Sequence, residues 1–96
     1  MTTTIKTKEV STPSGVKFVL NETITYGQHR DLVAVYLDKS KSDAETSAQA
    51  DKLGFGFVCV SIDGDTENLY EKYLSLPYTD VLPVAEEIQS ILNPKV

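Results

Sequence analysis

The chain has a single cysteine, a single histidine and few basic residues, nine Lys+Arg in 96. It has no apolar run of about 18 residues, the length a membrane-crossing helix needs. A lone Cys59 has no partner within the chain for a disulfide, which fits a reducing cytoplasm. The opening Met-Thr-Thr-Thr lacks both the basic stretch and the apolar core of a secretory signal. Fourteen Asp+Glu outnumber the basic residues, for a formal net charge of −5. Nucleic acid is bound through Lys/Arg surfaces, so it is not the expected partner, and neither is a membrane. There is no internal repeat and no low-complexity segment. What is there is an ordinary 41% of hydrophobic residues. That suits one domain spanning residues 1–96, with one modest core.

The charge is uneven. Residues 1–41 hold six basic and four acidic side chains, for +2. Residues 42–96 hold three basic and ten acidic ones, for −7. Solvent-facing helices rich in Glu and Asp account for such a half, as does a binder of mixed charge.

The pattern predicts an N-terminal β-hairpin followed by three to four helices, an α+β, mainly α fold. Thr2, Thr3, Thr4, Ile5 and Thr7 favour extended backbone because Cβ branching restricts them in helices. Ser11-Thr12-Pro13-Ser14-Gly15 is a turn cluster. Beyond it Val16, Phe18 and Leu20 alternate, one face of a strand. The expected strands are about 3–10 and 15–21. They cannot stand alone in water and must pack on something.

The first helix begins at a T-x-x-Q capping box, Thr25 and Gln28, and carries His29, Leu32, Val33 and Tyr36 as its apolar stripe. It is expected to end near Asp38-Lys39-Ser40. A second box, Ser42 and Glu45, opens the next helix through Ala44, Ala48, Ala50 and Leu53. Residues 53–62, Leu-Gly-Phe-Gly-Phe-Val-Cys-Val-Ser-Ile, are ambiguous. Their glycines and β-branched residues favour a strand, whereas the capping box upstream favours a continuing helix. A third, short helix is expected to be capped by Asp65 or Thr66 and closed by Leu76-Pro77. Asp80 is the expected cap of the last helix, which puts Pro83 in its first turn. Val81, Val84, Ala85, Ile88, Ile91 and Leu92 form its apolar face.

Motifs with chemistry are few. His29-Arg30-Asp31-Leu32 matches the start of a kinase catalytic loop, but Tyr36 stands where that loop needs a metal-binding Asn. Asp63-Gly64-Asp65-Thr66-Glu67 has the early spacing of a calcium loop, but Asn68 and Leu74 replace its required Gly and Glu. The alternative is a turn that places carboxylates at a helix N-terminus. Asp63, Asp65 and Glu67 would be the ligands of a small metal-binding regulator. One His and one Cys are too few for a zinc site, and their spacing suggests no nucleophile–base pair. There is no phosphate-binding glycine loop. Catalysis is therefore not the expected role, and no catalytic residue, cofactor or metal is assigned. Five tyrosines remain, Tyr26, Tyr36, Tyr70, Tyr73 and Tyr78, as core residues or interface anchors. Leu69, Tyr70, Tyr73 and Leu74 share a helix face and are the candidate protein-interaction residues.

In this order the elements resemble the tail assembly chaperones of long-tailed bacteriophages. The resemblance rests on the helix start from Thr23 to Leu32, on Val60-Ser-Ile-Asp-Gly64, and on Leu76-Pro77 before a final amphipathic helix. It spans about residues 15–92. It implies a mostly helical domain with a small hairpin, and so a helix through 53–62. It implies a non-catalytic protein that binds the tape-measure protein and keeps it soluble while tail-tube subunits assemble. The expected location is the host bacterial cytoplasm, with the protein absent from the mature virion. The reading set against it is a small structural tail or head-tail connector subunit retained in the particle. Many such chaperones are also made as a longer product by a −1 frameshift. Asn93-Pro94-Lys95 can be encoded with the heptamer C-CCA-AAA, at which a ribosome slips. Reading codons 92–96 tests this, and a non-slippery heptamer removes it.

Overall fold

The structure is a computed structural model and describes residues 6–93. Residues 3–5 of the expected first strand, and Pro94 and Lys95 of the expected slip site, lie outside the described residues. The architecture is a three-stranded antiparallel sheet under four helices, an α+β, mainly α fold.

Strands β1 (Thr7–Ser11) and β2 (Lys17–Asn21) form the hairpin, with Val10 opposite Phe18 and Lys8 opposite Leu20. The turn between them follows its residues. Thr12 N–H donates to the Val16 carbonyl at 2.9 Å, and Thr12 Oγ1 accepts from Val16 N–H at 3.0 Å. Gly15 takes the left-handed φ of 91° that a side chain would resist. Phe18 and Leu20 are fully buried on one face of β2, with Val16 half-buried just before it.

Helix α1 (Tyr26–Leu37) begins at the complete Thr25–Gln28 capping box and ends at Asp38. Its buried residues are Leu32 and Val35, which corrects the expected stripe: His29, Val33 and Tyr36 are exposed. Asp38 Oδ1 accepts from Ser40 N–H at 2.9 Å and from Ser40 Oγ at 2.6 Å, which hold its carboxyl below the usual carboxylate value. Helix α2 (Asp43–Val58) starts at Ser42, whose Oγ accepts from Glu45 N–H. The Glu45 carboxylate takes the Ser42 hydroxyl, at 3.2 Å.

The helix implied for 53–62 holds only in part. Helix α2 runs to Val58, and Cys59–Ile62 form strand β3, paired antiparallel to β2. Cys59 does two jobs. Its N–H closes the helix on the Phe55 carbonyl, and its backbone is already extended at φ −78°, ψ 124°. The register shifts between Val19 and Leu20 where β2 meets β3. Such an irregularity bends the strand and adds twist.

A tight turn follows at Asp63 and Gly64, both with positive φ. Asp63 N–H donates to the Lys17 carbonyl at 2.7 Å, and its Oδ1 accepts from Lys17 N–H at 2.8 Å. Helix α3 (Leu69–Leu74) starts after Asn68, itself left-handed, with no side-chain cap. The expected Asp65 or Thr66 cap is therefore corrected: Asp65 instead pairs with Lys72 at 2.6 Å.

Helix α4 (Tyr78–Leu92) begins two residues before the expected cap, after Pro77. Asp80 is its third residue, only 1% exposed, and accepts from Ser14 N–H at 3.2 Å and Ser14 Oγ at 3.0 Å. A buried carboxylate needs such donors, and here they pin the hairpin turn to α4. Pro83 thus sits in the second turn and leaves the exposed Thr79 carbonyl without its helical donor. Lys8 pairs with Glu87 at 2.7 Å, a second link from β1 to α4.

The core lies between the sheet and the helices. Phe55 of α2 stacks on Tyr73 of α3, ring centroids 4.4 Å apart, and Phe18 of β2 meets Tyr73 edge-on at 6.1 Å. Val58, Val84 and Ile88 close around them. Burying each such side chain contributes roughly 1.5–3 kcal/mol. No helix among the described residues is long and apolar enough to cross a membrane.

The two glycines of α2 face opposite situations. A Cβ on Gly54 would lie 2.7 Å from Leu92 Cδ1, while one on Gly56 would meet nothing within 4 Å. Gly56→Ala should therefore stabilise the fold by about 0.5–1 kcal/mol through helix propensity. Gly54→Ala should lack that gain, because the buried Leu92 side chain must shift its Cδ1 to make room. Urea unfolding midpoints check both; equal shifts of the same sign would contradict this packing.

Candidate functional site

Helix α2 packs against α1 on one side and α4 on the other. Ser47, Ala50 and Asp51 of α2 line the gap between those two helices. The result is a cleft of ≈ 420 Å³ with α2 as floor. His29, Val33 and Tyr36 of α1 form one wall, and Ile88, Gln89 and Leu92 of α4 the other.

At about 100° per residue, the inward side of α1 is taken by Leu32 and Val35. Val33 and Tyr36 project along the cleft edge, 39% and 56% exposed, and Tyr26 and Leu37 lie beyond them at 78% and 67%. Among the described residues nothing covers these four apolar side chains of α1.

A second cleft, ≈ 380 Å³, continues along α4 towards its N-terminus. Val81 and Ala85 of α4 line it, facing Tyr73, Leu74 and Leu76 of α3 and the turn that follows. Val81, Ala85, Ile88 and Leu92 recur at helical spacing, so both clefts follow one stripe of α4. They meet at Asp51, which lines both. From Val81 to Leu92 the combined groove runs for about 16 Å at the helical rise per residue.

Among the described residues Asp51 is the only Asp or Glu lining either cleft, and no lysine or arginine does. Its Oδ2 accepts from Tyr70 Oη at 2.8 Å. Burial, then that hydrogen bond and the carboxylate charge, push the Tyr70 hydroxyl up to about 12. Burial, followed by the charge of Asp51, does the same to Tyr73, also about 12. The Cys59 thiol, buried at the α2–β3 junction, is pushed up to about 11 by burial.

The structure divides the four candidate residues. Tyr73 is a core residue at 4% exposure, and Leu69 and Tyr70 are half-buried against the core. Leu74 alone is open, at 63%. Of the four, Tyr73 and Leu74 reach the groove. Val33 and Tyr36, assigned to the inward stripe of the first helix from the sequence, line the cleft instead. The sign available in the sequence was the width of the apolar arc on that helix, too broad for one buried side. Asp51 was missed: one acid in an Ala/Ser/Gln stretch carries no local signal. Asp63 is engaged by Lys17 and Asp65 by Lys72. Among the described residues no group of three or more His, Cys, Asp or Glu is placed to hold a metal ion. Cys59 lies in the core, whereas His29 is on the open side of α1.

No protein-family model, no curated protein and no solved structure matches the chain.

Cys59, Tyr70 and Tyr73 all hold their protons more tightly in the folded state than their ordinary values of 9.0 and 10.0 imply. The unfolded chain releases those protons first as pH rises, so it binds fewer protons and is favoured. This contribution to stability is intact below pH 9. It should fall between pH 9 and 11 for Cys59, and between pH 10 and 12 for the tyrosines. Thermal melts across pH 7–11.5 check this. Cys59→Ala should flatten the pH 9–10 part of the decline, and an unchanged profile would refute the assignment to Cys59.

Proposed function

We propose that this chain is a non-catalytic assembly chaperone of a long-tailed bacteriophage. It binds helical, apolar segments of the tape-measure protein and keeps them soluble while tail-tube subunits assemble. The observation that supports this most directly is the open groove over α2, bordered by exposed Val33 and Tyr36 of α1 and by half-buried Val81 and Ala85 of α4. Helix-in-groove recognition uses such a surface, with anchors on the incoming helix at i, i+3/i+4 and i+7. The resemblance of Thr23 to Leu32, Val60 to Gly64 and Leu76-Pro77 to the tail assembly chaperones supports the same role. The acidic surface of residues 42–96 supports it as well, since net charge keeps an apolar complex dispersed.

The partner is sought in the long, helix-rich reading frame expected immediately downstream. Co-expressed with a segment of that protein, the chain should move the segment from the pellet to the soluble fraction and co-elute with it. Val33→Glu places a charge on the groove wall and should abolish the effect, with little change in melting temperature because Val33 is 39% exposed. No complex and no gain in solubility would sink the reading. Abundant copies in purified virions would favour the structural tail or connector subunit.

A further inference from the structure

We infer that the groove takes an amphipathic helix whose apolar face carries one cationic side chain, Lys or Arg, seated on Asp51. The inference rests on the helix-docking reading above and adds the chemistry of the docked segment.

The argument turns on what covering Asp51 would do. Asp51 lies where the two clefts join, with Val33 and Leu92 to one side and Leu74 and Val81 to the other. Any helix long enough to cover both apolar ends also covers this carboxylate. One of its oxygens holds the Tyr70 hydroxyl; the other has no protein hydrogen bond among the described residues. A wholly apolar occupant would strip water from that oxygen and leave a charge without a partner, which is strongly unfavourable. An acidic occupant would add repulsion. Among the described residues no lysine or arginine lines the groove, and His29, on the α1 wall, makes no hydrogen bond to Asp51. The occupant must then supply the positive charge.

The wider field agrees. Across α2 and α4, six acidic residues stand against Lys52 alone. Lys8 is already on Glu87, and Asp80 is enclosed by Ser14. Asp43, Glu45, Asp51 and Glu86 remain against Lys52, so a cation arriving at Asp51 meets a net negative surface on these two helices. Its place in the occupant follows from the groove. Asp51 is central, so the Lys or Arg lies mid-way along the apolar stripe, with Leu- or Ala-like residues one to two turns on each side. About 16 Å of groove corresponds to some 11 residues of helix, three turns.

Two synthetic 18-residue helical peptides with the same Leu/Ala stripe test this. One carries Lys at the centre of the stripe and the other Gln. Fluorescence anisotropy with the full chain should show the Lys peptide bound about tenfold more tightly, a difference of about 1.4 kcal/mol. Raising the salt should shrink that advantage. Asp51→Asn keeps an acceptor for Tyr70 and should bring the Lys peptide down to the Gln value while leaving the Gln peptide unchanged. If both peptides bind the unaltered chain equally, or the Lys advantage survives Asp51→Asn, the role of Asp51 is overturned and helix docking still stands. If neither peptide binds, both readings fall.

Discussion

Helix α2 becomes strand β3 with no residue between Val58 and Cys59, and the rest of the molecule is arranged around that junction. A helix joined to a strand by a loop can rotate about its axis. This one cannot, because Cys59 is held opposite Leu20 in the sheet. Near the same end, the Leu92 side chain of α4 seats against the bare face of Gly54. Strand pairing and this side-chain contact together fix the rotation of α2. Ala50, Gly54 and Val58, one turn apart, are thereby turned into the core. Asp51, one residue round from Ala50, is turned into the gap between α1 and α4. The orientation of the candidate site is thus a consequence of a strand register eight residues away.

That junction also explains where the sequence was legible and where it was not. Features decided by neighbours in the chain could be read directly. The Thr12–Gly15 turn, the Thr25–Gln28 box and the end of α1 at Asp38 all involve atoms within five residues of each other. Residues 53–62 could not be read this way, because both local signals were true. The capping at Ser42 governs as far as Val58, and the β-branched run governs from Cys59 on. Only the pairing with β2 decides where one yields to the other. Asp80 failed for a related reason. Its chemistry is that of a helix cap, but its partner is Ser14, 66 positions away in the chain. With Asp80 recruited by the hairpin turn, α4 starts earlier and Pro83 falls inside it.

Helix α1 presents a different limit. Its apolar residues cover so wide an arc that periodicity alone does not say which part is buried. Contact with α2 takes Leu32 and Val35. The remaining part, Val33 and Tyr36 with Tyr26 and Leu37 beyond, is left as the wall of a groove. The candidate site is therefore partly what packing left over, and this is why the sequence gives it no motif. The face of α3 is the converse. Leu69, Tyr70 and Tyr73 are consumed by the core, where Tyr73 joins Phe55 to Phe18, so that only Leu74 remains outside.

The small residues on the floor of the groove carry a cost that bears on function. A larger apolar side chain at the exposed Ser47 would fill part of the gap and bury more apolar area, whereas Ala50 is already in the core. The short side chain of Ser47 leaves Val33 and Tyr36 incompletely covered, so the fold retains apolar surface that an incoming helix can bury. Apolar surface alone would invite any exposed hydrophobic segment, including another copy of the same chain. A carboxylate in the middle of the floor changes that. It makes covering the groove unfavourable unless the arriving helix brings a cation to the right turn, and so converts a generic apolar gap into a selective one. The negative charge of the C-terminal half then does more than disperse the protein: one of its members is placed where an occupant must answer it.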